Sequence, residues 1–138
     1  MLRTSRGTKQ IHVGGVSRTG RWYNYELRYP DDSEVFGKLA GTTFYVGKGT
    51  KDRLAAHEKE TRTLLGRNRI TDMKHKHKVI LQIWDAGYDV VQAIVWRTDD
   101  EEEAYQVEAK LIRGYGLERL TNATYGRRPK RRGGLLAA

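Results

Sequence analysis

The stretch Thr43-Phe44-Tyr45-Val46-Gly47-Lys48-Gly49-Thr50-Lys51-Asp52-Arg53-Leu54-Ala55-Ala56-His57 changes structural period part-way along. Thr43 to Val46 is aromatic and β-branched, the composition of a strand, and it ends at Gly47 and Gly49. Past Gly49, a side-chain oxygen of Thr50 or Asp52 can satisfy an orphan backbone N–H and so start a helix carrying Arg53, Leu54, Ala55, Ala56, His57 and Glu58. Arg53 and His57 lie four apart on that helix and share a face. A guanidinium can grip two phosphate oxygens, and an imidazole titrates near neutrality. An isolated Arg-x-x-x-His pair is nevertheless more often an ordinary exposed helix face.

Outward from this segment, Trp22 to Tyr29 alternates as a half-buried strand would, with Tyr23, Tyr25, Leu27 and Tyr29 on one face and Trp22, Asn24, Glu26 and Arg28 on the other. Pro30-Asp31-Asp32-Ser33 breaks it, so the two strands form an antiparallel pair joined by a loop too long to set the register. Gly66-Arg67-Asn68-Arg69 reads as a connection, followed by a helix over about Thr71 to Ala86 with Val79, Ile80, Ile83 and Trp84 on one stripe and Gly87 as its stop. Val90 to Trp96 is apolar on both faces, as in a central strand. Thr98-Asp99-Asp100-Glu101 fits a capping box, after which Ala104, Val107, Leu111 and Ile112 recur at helical spacing as far as Gly114 or Gly116. The order β-β-α-α-β-α predicts an α+β domain with a small three-stranded sheet flanked by helices.

With 138 residues the chain has room for one domain, and without cysteine it has neither disulfides nor a thiolate zinc site. No signal-like or membrane-spanning apolar run is present, so the expected setting is the cytoplasm or the nucleoid. The net charge of +9 is unevenly placed. Residues 1–21 and 127–138 each hold five basic residues and no acid, whereas 22–126 is nearly balanced. The expected organisation is therefore a basic N-terminal tail (1–21), a folded domain (22–126) and a basic, flexible C-terminal tail (127–138). Arg127, Arg128, Lys130, Arg131 and Arg132 would add phosphate affinity without sequence information. Charge alone serves a catalyst and a non-catalytic nucleic-acid binder equally well.

Glu108 falls within the apolar stripe of the last helix, four after Ala104 and four before Ile112. A carboxylate there costs several kcal/mol unless paired, protonated or bound to metal. A glutamate at the stripe's edge that reaches solvent, Arg53 or Lys48 explains the spacing as well. In His75-Lys76-His77-Lys78 the two rings would point about 200° apart on a helix, which rules out a shared metal and leaves a nucleic-acid-facing helix start. Gly47-Lys48-Gly49 lacks P-loop spacing, so no nucleotide cofactor is expected.

Together these pieces resemble the GIY-YIG nuclease superfamily over about residues 22–126. Tyr45-Val46-Gly47 looks like the second signature triplet, while the first reads Tyr23-Asn24-Tyr25 and keeps only the tyrosine position at Tyr25. Arg53, His57, Glu108 and Asn122 match the family's arginine, histidine, metal-binding glutamate and late asparagine. The Val-Gly-Lys-Gly loop, Ile83-Trp84-Asp85-Ala86-Gly87 and Gly116-Leu117 through Leu120-Thr121-Asn122 look closest to the branch of the ankyrin- and LEM-domain nuclease and its small microbial relatives. The resemblance implies an endonuclease that hydrolyses DNA, branched or structured DNA among the candidates, with one Mg²⁺ or Mn²⁺ on Glu108. It implies that Arg53 neutralises the phosphate and that Tyr25 orients or deprotonates water, assisted by Tyr45 and His57, with His57 as the rival base. Lys48, Lys51 and Asn122 would help to hold DNA, on which a homodimer could cut both strands. A binding module with a vestigial nuclease site is the alternative.

Overall fold

A computed structural model describes residues 9–126. Its sheet has four strands, β1 (Lys9–His12), β2 (Trp22–Arg28), β3 (Thr43–Gly49) and β4 (Val91–Thr98), in the order β1-β4-β2-β3. The helices are α1 (Ser33–Phe36), α2 (Arg53–Gly66), α3 (His75–Asp85) and α4 (Glu101–Tyr115). The α+β class expected from the sequence is correct, and β2 and β3 are antiparallel. None of the helices among the described residues is long and apolar enough to cross a membrane.

Two expectations need correction. The sheet has four strands, because Lys9–His12, within the stretch read as a tail, pairs in parallel with β4. That strand is four residues long and largely exposed, so no hydrophobic alternation announces it. Residues 20 and 21 also lie against the domain: Arg97 Nη1 donates to Gly20 O at 2.9 Å and Arg21 N–H to Asp99 Oδ1 at 2.9 Å. Second, β2 is buried on both faces. Its Tyr23, Tyr25 and Leu27 enter the main core with Val79, Ile80 and Ile83 of α3, while its opposite face meets α4. There Asn24 Nδ2 donates to Ala104 O at 2.9 Å, and Glu26 accepts from Arg28 Nη2 (2.8 Å), Thr43 Oγ1 (2.7 Å) and Tyr115 Oη (2.8 Å). These bonds answer the Glu26 carboxylate and the Asn24 amide N–H on the face that the alternation assigns to solvent, while Asn24 Oδ1 is buried without a partner among the described residues.

The start of α2 is set by a strand. Asp52, at the N-cap, makes no side-chain capping bond. Instead the Tyr23 hydroxyl, reaching over from β2, accepts from Leu54 N–H at 2.9 Å and donates to Lys51 O at 2.7 Å. Lys51 itself takes a left-handed conformation, with φ of 48°. This tertiary cap ties the helix carrying Arg53 and His57 to the middle of the sheet. Tyr23→Phe is expected to lower stability by about 1–2 kcal/mol, the typical worth of a lost cap. Urea unfolding measures this, and an unchanged midpoint would show that the hydroxyl does not hold the helix.

Candidate active site

The expected residues converge at the β3 edge of the sheet, where α2 and α3 on one face meet α4 on the other. Tyr25 pairs with Gly47 across the β2–β3 ladder, and its ring lies where a Cβ at Gly47 would stand. Only glycine permits that approach. From there the Tyr25 hydroxyl reaches His57 Nε2 in a hydrogen bond. Gly49 likewise leaves room for the stem of Arg53. The Tyr45 ring packs 4.7 Å from the His57 ring and 6.3 Å from that of Tyr25, centroid to centroid.

Two of these groups are withdrawn from solvent. Tyr25 is 1% exposed and His57 0%. Burial raises the Tyr25 hydroxyl far above its ordinary 10.0, against a smaller opposing pull from Arg53. Burial lowers His57 from 6.5 to about 3, helped by the charges of Lys76 and Arg53, so its imidazole is neutral. Neither group meets water in the manner expected of a base.

Tyr45 does face a cleft, of about 580 Å³, lined also by Lys74, His75 and Lys76 from the start of α3, by Glu108 and Ile112 of α4, and by residues 121–124 and Gly126. The Glu108 carboxylate makes no hydrogen bond or ion pair with the described residues. Burial raises its pKa, and the charge of Lys48 partly offsets this. A Cβ at Gly126 would sit 3.1 Å from Glu108 Oε1, so the glycine keeps the carboxylate's approach open. No group of three His, Asp or Glu able to enclose a metal occurs among the described residues. A lone open carboxylate still fits a hard divalent ion that retains waters and takes phosphate oxygens as its other ligands. A second cleft, about 710 Å³ between Arg28, Lys38, Tyr115 and Arg119, lies at the far end of the hairpin and holds none of the expected residues.

Arg53 is exposed, with Nη1 3.8 Å from Glu60 Oε1. Lys48 is already engaged: its Nζ lies 4.1 Å from the ring centroids of both Trp22 and Tyr105 and 3.2 Å from Glu101 Oε2. It is therefore a clamp between β3 and α4, with its ammonium engaged within the fold. The Asn122 amide accepts from Val46 N–H at 3.0 Å and donates to Val46 O at 2.8 Å, and the residue also lines the cleft. It closes the backbone edge of β3 and so fixes the cleft wall. Lys51 is exposed and compatible with a nucleic-acid surface. The expected contacts Arg127, Arg128, Lys130, Arg131 and Arg132 lie outside the described residues.

The cluster His75 to Lys78 divides. His77 Nδ1 accepts from Lys74 N–H at 3.0 Å and its Nε2 meets Glu60 Oε2 at 3.0 Å, joining α3 to α2. Lys76 enters the cleft wall. Its involvement was readable: it stands three, four and seven before Val79, Ile80 and Ile83, on the buried stripe of α3.

The LEM-3-like GIY-YIG domain matches residues 17–132. The chain belongs to this family. It is therefore a domain of the GIY-YIG nuclease type. The human ankyrin repeat and LEM domain-containing protein 1 is 38% identical over 85 residues, covering 60% of this chain and 14% of that protein. The Caenorhabditis elegans homologue of that protein is 33% identical over 85 residues, covering 60% of this chain and 12% of its own length. The chain thus spans a small part of the relatives it resembles. No solved structure matches it. In this GIY-YIG domain the two signature segments are neighbours on β2 and β3, and the asparagine that interrupts the first, Asn24, points to α4 and away from the Tyr25–His57 pair.

The depressed His57 makes stability depend on pH. Its neutral form is favoured by the fold, so its contribution is complete above 6.5 and erodes as pH falls towards 3, where the unfolded chain takes up a proton that the folded one refuses. This one group is expected to give a slope of up to about 1.4 kcal/mol per pH unit. Urea unfolding from about pH 6 to pH 4 should show a shallower slope for His57→Asn than for wild type; parallel slopes would place the titration elsewhere.

Proposed function

We propose that this domain is a divalent-cation-dependent endonuclease that hydrolyses phosphodiester bonds in DNA, including branched or structured DNA. The observation carrying this reading is the Glu108 carboxylate, which has no hydrogen-bond or ion-pair partner among the described residues and shares a cleft with Tyr45 and the basic residues Lys74 and Lys76. Glu108 would hold one Mg²⁺ or Mn²⁺, which when bound supplies positive charge to a phosphate oxygen and to the leaving group. The chain's own residues supply the rest. Arg53, exposed beside the cluster and 3.8 Å from Glu60, exchanges that contact for a phosphate and neutralises charge that grows on it in the transition state. The Tyr45 hydroxyl, in the cleft, orients the attacking water. Tyr25 and neutral His57 form the layer behind it and hold its ring in place. This reassigns the water-orienting role from Tyr25 to Tyr45. Cutting both strands of a duplex would take two visits or a second copy of the chain.

Single-turnover cleavage of supercoiled plasmid and of a branched duplex, with Mg²⁺ or with chelator, tests the reading. Glu108→Gln should reduce cleavage by at least about a thousandfold, the scale of a lost electrostatic catalyst, while DNA affinity changes little. Arg53→Ala should cost about a hundredfold or more in the same assay. Full cleavage by Glu108→Gln, or wild-type binding without metal-dependent cutting, would overturn the reading and leave a nucleic-acid-binding module.

A further inference from the structure

We propose that Lys76 is a phosphate-gripping residue, forming on the α3 wall of the cleft an anion subsite for the phosphodiester being cut. This deepens the nuclease reading and rests on it for the identity of the anion. Lys76 is 7% exposed, yet it lines the cleft. Its ammonium makes no hydrogen bond or ion pair with any described residue; its one close partner is the face of Tyr45, with Nζ 5.0 Å from the ring centroid. A ring face attracts a cation but does not replace the three acceptors that water would offer.

The neighbouring acid does not close the account. Glu60 attracts Lys76 at a distance, but its oxygens are directed to Arg53, 3.8 Å away, and His77, 3.0 Å away. Lys74 and Arg53 add positive charge around Lys76. A cation held among cations, mostly desolvated and without an acceptor, is unfavourable unless an anion enters. A methionine would fill the same space at lower cost in the free protein. The anion must be small enough for a 580 Å³ cleft and must tolerate Glu108 across from it. A phosphodiester, with two exposed oxygens to share between an ammonium and a metal-bearing carboxylate, meets both conditions.

The subsite predicts an unusual combination in Lys76→Met, namely a domain that folds as well as or better than wild type yet works poorly. Three measurements on the full chain decide it. Thermal unfolding should give an unchanged or higher midpoint. Binding of a fluorescent branched oligonucleotide in chelator should show a slope of log K against log salt shallower by about one, the signature of one lost phosphate contact. Single-turnover cleavage with Mg²⁺ should fall by about thirtyfold or more, with partial recovery in Lys76→Arg, which keeps the charge. A midpoint lowered by several degrees, or an unchanged salt slope, would overturn the proposal. If the wild-type chain cuts no substrate, the nuclease reading falls, while the salt slopes still decide Lys76 by themselves.

Discussion

The missing side chain at Gly47 is the constraint on which the site depends. Because β3 offers bare backbone there, the Tyr25 ring can lie against it and reach His57 on the neighbouring helix. Gly49 does the same for Arg53, and both glycines belong to a strand whose partner residues, Tyr25 and Tyr23, are the ones that engage α2. Any larger side chain at position 47 would push Tyr25 away from β3, and with it the layer that supports Tyr45. The Gly-Lys-Gly end of β3 thus serves close packing. Its lysine is turned away, held between Trp22 and Tyr105 on the α4 side.

Two of the domain's withdrawn glutamates, Glu26 and Glu108, show how different such groups can be. Glu26 sits at 2% exposure and accepts from an arginine, a threonine and a tyrosine, so its charge is fully answered within the fold. Glu108 has no such partners among the described residues, although burial disfavours its charged form. A satisfied buried acid organises structure; an unsatisfied one beside a cleft marks a place where something else binds.

These differences explain what could be read from the sequence. The strands at Tyr23–Leu27 and Thr43–Val46 and the stripes of α3 and α4 were legible because their period is a property of consecutive residues. The short β1 carries too few residues to have a period, and its parallel partner lies about eighty residues away. Burial of Asn24 and Glu26 depended on which face α4 covers, information held in no local window. Among the site residues, Arg53 and Glu108 are singled out by type and position; Arg53 is exposed beside the cluster and Glu108 lines the cleft. Lys48 and Asn122 have suitable types for DNA contacts, but neighbouring groups consume their charge and amide. The place of Tyr25 in the motif says nothing of its burial, which is set by the Gly47 backbone beside it and by α2 above it.

The uncompensated charges of the cleft bear on how its ligands bind. Glu108 and Lys76 line the same 580 Å³ space without forming an ion pair, so the free protein keeps a carboxylate and an ammonium apart. On the functional readings above, a phosphate arriving alone would gain Lys76 but face repulsion from Glu108, and a divalent ion arriving alone would gain Glu108 but face the charges of Lys74 and Lys76. Together the two ligands remove both penalties. Each therefore raises the affinity for the other, and linkage makes the effect reciprocal. Such coupling disfavours assembly of the catalytic arrangement around stray metal or stray phosphate, and it follows from two side chains that form no ion pair with any described residue.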